Sequence, residues 1–224
     1  MIEINHLSIN YKENNNECLA VNDVSLTIES GSFTSIVGRS GSGKTSLLNA
    51  LGGLLLPTKG KVLVDGEDIY QLSDVKLSEY RSAHIGYIFQ DFYLESHYSV
   101  EQNLEIVLMI TGYPAAKRKK KIAELLESVG LEGRQKQRTA TLSGGERQRV
   151  CIARALANNP GIILADEPCG NLDSHNGAII MDYLRGFSQE GKTVVLVTHN
   201  MEDAGKTDRM IELKDGIVVR DERN

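Results

Sequence analysis

Gly38-Arg39-Ser40-Gly41-Ser42-Gly43-Lys44-Thr45 decides how this chain is read. The stretch follows the apolar run Phe33–Val37 and precedes Ser46-Leu47-Leu48-Asn49-Ala50-Leu51, so it reads as a loop between a buried strand and a helix. A glycine-rich turn there lets successive backbone N–H groups point inward at phosphate oxygens. Lys44 then reaches the outer phosphates, and the Thr45 hydroxyl sits on a magnesium ion. The fixed letters of the pattern arise by chance in roughly one chain of this size in a hundred. With a strand before and a helix after, a tight turn that binds nothing is a poor rival. A nucleoside triphosphate is the expected ligand.

The totals agree. A chain of 224 residues makes one domain, or one with a subdomain, and can bury a substantial core. The net charge of −5 argues against a general nucleic-acid coat, and no nucleic-acid partner is expected. Cys18, Cys151 and Cys169 form no C-x-x-C pair, which suggests neither a disulfide framework nor a zinc site. They read as reduced thiols in a cytosol. There is no N-terminal signal pattern and no apolar run long enough to span a bilayer. Work at a membrane would need another component to hold the chain there.

Outward from the loop, Ile2, Ile4, Leu7 and Ile9, then Val24, Leu26 and Ile28, alternate roughly as half-buried strands do. Lys12–Glu17 between them reads as an exposed hairpin loop. Tyr11 at its edge is either a strand-end aromatic packed on the core or a stacking platform for a nucleobase. The helix after the phosphate loop ends at Gly52-Gly53, Gly60–Gly66 is a short strand, and Ile85–Phe89 is another, ending in Gln90. From about 91 to 157 strand-like runs give way to helical ones, Val100–Ile110 and Pro114–Val129, marking a helical insertion. The run Lys117–Lys121 opens the second of these and reads as the solvated face of an amphipathic helix.

Thr141-Leu142-Ser143-Gly144-Gly145-Glu146 leads into the helical Arg147–Ala157. Ser143 with Glu146 makes a capping box. Two glycines in a first turn cost about 1 kcal/mol each relative to Ala. Either a ligand approaches this helix end closely, or it is a capped helix after a flexible loop. Gly161–Ala165 is a wholly apolar strand of the parallel-sheet kind, ending in Asp166-Glu167. Carboxylates at the end of a central strand lie where open α/β sheets bind ligands. Thr193–Thr198 is a second such strand, ending in His199, and a hairpin around Lys214-Asp215-Gly216 closes the chain. Phosphoryl transfer needs positioning and charge neutralisation. Asp166 would hold the magnesium, Glu167 would orient or deprotonate the attacking water, Gln90 would complete the metal or water shell, and His199 would contact the γ-phosphate.

Together these motifs resemble the ATP-binding subunit of an ABC transporter, from about Ile2 to Val219. Gly38–Thr45, with Ser46, matches the Walker A motif; Ile162–Asp166 with Glu167 matches the Walker B; Leu142-Ser143-Gly144-Gly145-Glu146 matches the family's LSGGE. Gln90 matches the Q-loop, Asn171-Leu172-Asp173 the D-loop and Thr198-His199 the H-loop. The resemblance implies an α/β P-loop NTPase fold, a RecA-like core with a mainly parallel sheet, plus an antiparallel β subdomain and a helical subdomain, all in one ATPase domain. It makes Tyr11 the adenine-stacking aromatic. It implies ATP and Mg2+ as ligands and a homodimer in which each ATP lies between one copy's Walker A and the other's LSGGE. It further implies integral membrane permease subunits, docked in the groove beside Gln90, with a periplasmic or extracellular adaptor as a further candidate. The location implied is cytoplasmic, peripheral on the inner face of the cell membrane.

Ala165–Asp173 and Phe89–Leu94 look most like a group containing lipoprotein-release, macrolide-export and antimicrobial-peptide resistance ATPases, with the cell-division ATPase similar too. Cys169 stands where that group usually has threonine, Asn200 where aspartate is common, and Cys151 where a small residue is usual. No C-terminal regulatory domain is expected after the hairpin. The rival is an ABC ATPase of a non-transport process, such as cell-division signalling or work on DNA or ribosomes. Relatives acting on DNA or ribosomes usually carry two cassettes or long coiled-coil insertions, and this chain has neither.

Overall fold

Apolar alternation pulls the first residues of the computed structural model, which describes residues 1–13 and 16–224, into an antiparallel pair, β1 (Ile2–Glu13) and β2 (Asn16–Ile28). The buried set switches from even positions, Ile2 and Ile4, to odd ones, Leu7 and Ile9. Register shifts between Ile4 and Leu7 allow this, with His6 at φ 52° and Asp23 at φ 53° on the two strands. The strands run further than the alternation indicates: Lys12 pairs with Glu17 and Glu13 with Asn16. The centre of the expected loop, residues 14 and 15, lies outside the described residues.

After β3 (Phe33–Val37), helix α1 (Lys44–Leu51) ends on Gly52, as the Gly-Gly pair requires. β4 (Lys59–Val64) turns at Asp65-Gly66, both at positive φ, into β5 (Glu67–Asp68). Helix α2 (Asp74–His84), capped by Ser73, has no counterpart in the sequence reading, because none of its residues is fully buried and only Leu77 and Tyr80 lean on the core. β6 (Ile85–Ile88) follows. Between 91 and 157 come α3 (Val100–Ile110), α4 (Ala115–Glu127) and α5 (Gly144–Ala155), with no strand among the described residues. Pro114 sits at the N-cap of α4, one residue before its expected place in the first turn. The chain ends with β7 (Ile162–Asp166), α6 (Ser174–Gln189), β8 (Thr193–Thr198), α7 (Met201–Ala204), β9 (Arg209–Lys214) and β10 (Ile217–Arg223).

Two sheets result: a four-stranded one in the order β2-β1-β4-β5 and a six-stranded one in the order β10-β9-β3-β8-β7-β6. In the first every pairing is antiparallel. In the second, β9, β3, β8, β7 and β6 are parallel and β10 alone is antiparallel. The interiors of β7 and β8, residues 162–165 and 194–197, are wholly apolar because both their faces are covered. Ile163, Ala165, Val194 and Leu196 pack with Leu104, Ile122, Leu126 and Val150 of the helical segment. Ile162, Leu164, Val195 and Val197 pack with Leu47 and Leu48 of α1 and with the inner face of the antiparallel sheet. One consequence governs the site. The neighbours β3, β8, β7 and β6 end side by side, and Gly38, His199, Glu167 and Gln90 follow those four ends.

Candidate active site

The segments leaving these strand ends line an open cleft of about 740 Å³ with Tyr11, Cys18 and Ala20 from the hairpin, Arg39, Ser40, Gly41, Gly43, Lys44, Thr45 and Ser46 from the loop, and Gln90, Glu167 and His199. Tyr11 is 41% exposed and its hydroxyl pairs with Ser46 Oγ at 3.1 Å, so the core-packing alternative is wrong. Cys18 and Ala20 were not anticipated. Cys18 lies directly across the hairpin from Tyr11, and that register was available from the symmetry of the Lys12–Glu17 loop.

The loop has no room behind it. A Cβ on Gly38 would lie 2.2 Å from the Leu213 carbonyl oxygen, and one on Gly43 would lie 2.0 Å from that of Ala20. Gly43 is also at φ 99°, which favours glycine. The buried Lys44 ammonium donates to the carbonyls of Gly38 and Arg39 at 2.9 and 3.0 Å, folded over the loop's own mouth. Ser42 Oγ is buried with no hydrogen-bond partner. A cradle of this shape, with a lysine at its lip, fits the phosphates of a nucleotide.

Thr45 Oγ1 donates to Asp166 Oδ1 at 3.2 Å. Burial, the largest influence on Asp166, pushes its carboxyl above the ordinary range; the Thr45 hydrogen bond opposes this. A desolvated carboxylate facing a hydroxyl is short of positive charge, and a magnesium ion fits between them. Among the described residues no group of three His, Cys, Asp or Glu could hold a metal by itself. Magnesium suits such a sparse set, because it completes its shell with waters and substrate phosphates.

Glu167 stands at φ 46°, an uncommon conformation for a non-glycine residue, and its N–H donates to Val197 O at 2.9 Å. That kink turns its side chain toward β8, where Glu167 Oε1 meets His199 Nδ1 at 2.9 Å. Asn171 Nδ2 donates to the Gln90 carbonyl at 3.2 Å, and Asp173 caps α6 by accepting from Asn176 N–H. The capping box at α5 is present: Ser143 Oγ accepts from Glu146 N–H at 3.2 Å, and Glu146 Oε2 accepts from Ser143 N–H at 2.8 Å. Leu142, Ser143, Gly144, Gly145 and Glu146 are not among the residues lining the cleft. The chain itself supplies a reason for the second glycine but not for the first. A Cβ on Gly145 would lie 2.1 Å from Asn176 Oδ1, and one on Gly144 would lie 3.4 Å from Leu172 Cδ2.

A glycine-rich loop after a central parallel strand, with Asp-Glu at the end of the strand two places away, defines a P-loop NTPase fold. Comparison with known proteins narrows this. The family described as ABC transporter matches residues 21–170. An uncharacterized ABC transporter ATP-binding protein of Thermotoga maritima is 44% identical over 204 residues, covering 91% of this chain and 87% of that protein. The macrolide export ATP-binding/permease protein MacB of Aggregatibacter actinomycetemcomitans is 41% identical over 221 residues, covering 99% of this chain but 34% of that protein. The chain therefore spans about a third of the MacB relatives it matches. Among solved structures, the dimeric ABC transporter cassette MJ0796 superposes with a TM-score of 0.92 at 42% identity, covering 100% of this chain and 98% of that one. The same cassette in a dimeric post-hydrolysis state bound to ADP and Pi gives 0.92 at 40% identity, with the same coverage. The chain belongs to the ABC transporter family. It is an ATPase cassette of that family, working with ATP and magnesium.

Proposed function

We propose that this chain powers an export or release system, for peptides, lipoproteins or small drugs, or resistance to antimicrobial peptides, by closing as a homodimer on two ATP molecules. Relatives named as macrolide and syringafactin export ATP-binding/permease proteins, 41% identical to it, support the export reading. Among the described residues no helix is long and apolar enough to cross a membrane. In this reading a permease supplies the membrane part, and the cassette works on its inner face.

In this reading Tyr11 stacks on the base, and the N–H groups of Gly38–Thr45, with Ser46, bind the phosphates. Lys44 exchanges its two carbonyl partners for phosphate oxygens. Thr45, Asp166 and Gln90 hold the magnesium ion, which when bound neutralises charge on the outer phosphates. Glu167 takes the proton of the attacking water, and His199 keeps that carboxylate aimed while reaching the γ-phosphate. Leu142–Glu146 of one copy caps the nucleotide of the other, and Asn171–Asp173 crosses the seam between copies.

The exposure of Ser143, together with the absence of Leu142–Glu146 from the lining of its own cleft, carries the proposal. A capped helix end with that placement can serve a nucleotide only in another copy. The test is gel filtration of Glu167→Gln, which should retain ATP, hydrolyse it poorly and elute as a dimer with saturating Mg-ATP. A monomer under those conditions sinks the proposal. Lys44→Ala, which removes the charge facing the phosphates, should not bind ATP at all.

A further inference from the structure

Met109 and Ile110, at the end of α3, are 56% and 80% exposed, and Ile106, one turn earlier, is 37% exposed. The spacing i, i+3, i+4 puts the three on one stripe. The buried stripe of the same helix is Val100, Leu104 and Leu108. Helix α3 is therefore apolar on two faces and covered on one. The chain then turns through Gly112 and Pro114, and α4 opens with Lys117-Arg118-Lys119-Lys120-Lys121.

Lys117, Lys119 and Lys120 are exposed. Among the described residues their one ion pair is Lys120 with Glu124, at 3.8 Å. Arg118 instead turns back, donating through Nε to the Tyr113 carbonyl at 2.9 Å. Cations at this place work against the helix. Its N-terminal end already carries the positive end of the peptide dipole, and α4 has neither a side-chain cap nor an acid in its first turn. Selection for helix stability alone would place acids there. The charge is better explained by an anionic surface outside the chain, and the adjoining apolar stripe says that this surface has an oily interior.

We propose that the tip of the α3–α4 hairpin docks on an anionic phospholipid bilayer. The three lysines face the headgroup phosphates, and Met109 and Ile110 enter the boundary between headgroups and acyl chains. A nucleic acid would offer the phosphates but nothing to cover Ile110. The chain's net charge of −5 also leaves a nucleic acid no second footing. The contact is independent of the dimer reading and works in a monomer, so either can fail alone.

The test is sedimentation of the full chain with vesicles of phosphatidylglycerol mixed into phosphatidylcholine, against phosphatidylcholine alone. Binding is expected only to the first. It should be released between about 0.1 M and 1 M salt, as the screening length falls from about 10 Å to 3 Å. Lys117→Ala, Lys119→Ala and Lys120→Ala combined should weaken binding by about 100-fold, given roughly 1 kcal/mol for each lysine at an anionic surface. Ile110→Ser should weaken it at every salt concentration. Unchanged ATP turnover in solution is the control for folding. Equal sedimentation with both vesicle types, or a triple variant that binds like the parent, overturns the proposal. So does a chain that ignores vesicles while Ile110→Ser loosens its hold on a membrane subunit, which would assign the stripe to a protein.

Discussion

Arg154 grips the backbone at Tyr93: its Nη1 donates to the Tyr93 carbonyl at 2.6 Å, and the second arm of the fork, Nη2, reaches the Phe92 carbonyl at 3.0 Å. Two successive carbonyls can face one guanidinium because Tyr93 is kinked to φ 45°. Cys151 Sγ donates to the same Phe92 carbonyl at 3.2 Å, and the Arg147 guanidinium lies over the Phe92 ring. The helix whose first turn is Gly144–Glu146 thus holds, three turns later, the segment just after Gln90. Arg154→Lys keeps the charge but loses the fork. The lost bond to a charged donor is worth about 1.5 kcal/mol, near tenfold in the gripped population. ATP affinity of the monomer should stay within about twofold while turnover falls by about tenfold. Equal binding and equal turnover would mean that the grip holds structure only.

Gly145 owes its identity to Asn176. That side chain cannot swing aside easily, because Asp173 Oδ2 accepts from Asn176 Nδ2 at 2.7 Å while Asp173 Oδ1 accepts from Asn176 N–H at 2.9 Å. Gly145→Ala should therefore destabilise the fold by about 1–3 kcal/mol. Pairing it with Asn176→Ala should restore much of the loss, and thermal denaturation of the two variants reads this directly. If Gly145→Ala melts with the parent, α5 and α6 have room that the structure denies them.

The capping box makes the α5 terminus sensitive to acid. Glu146 is held below the ordinary carboxylate range, chiefly by the Ser143 N–H it accepts from, with Arg134 at 3.1 Å helping. Its proton affinity is lower folded than unfolded. The stability it adds is therefore complete above the unfolded value of about 4.3 and disappears as pH falls through the lower folded value. Glu146→Gln still accepts from Ser143 but does not titrate. The parent should melt above the variant at neutral pH, and the two melting temperatures should converge below about pH 4 as the parent loses that advantage. Parallel decline would remove Glu146 from the account.

Much of this was legible because the signals are local. The interiors of β8 and its neighbour β7 are unbroken apolar runs, Val100–Ile110 falls where its period placed it, and Ser143 with Glu146 spells its cap in four letters. What escaped has no such spelling. Helix α2 leans on the core only through the half-buried Leu77 and Tyr80, too short a stripe to mark a period. The partners of Arg154 are carbonyl oxygens some sixty positions away, and any residue has one. The glycine pair at 144 and 145 is ambiguous in sequence, since a ligand and a neighbouring side chain exclude a Cβ equally well. The position of Asn176 decides for Gly145, while a Cβ on Gly144 would meet only ordinary contacts.

Gly216 joins the phosphate loop to the strand that lines the cleft mouth. Its N–H donates to the Ser42 carbonyl at 3.2 Å, and its own carbonyl accepts from Asn22 N–H at 2.8 Å. It sits at φ 80°, and a Cβ on it would lie 3.0 Å from the Ala20 carbonyl oxygen, the same atom that bars a side chain at Gly43. The turn after β9 and the strand β2 therefore press on the loop from behind, and β2 also carries Cys18 opposite Tyr11. Gly216→Ala must hold a left-handed conformation, at about 1–2 kcal/mol, or relax and let the loop shift away from the base shelf. Nothing in this contact touches Glu167 or His199. The variant should need about tenfold more ATP for half-maximal turnover while its rate at saturation is preserved. A fall in the saturated rate at unchanged ATP demand would show that the turn acts on the hydrolytic step and not on the seating of the nucleotide.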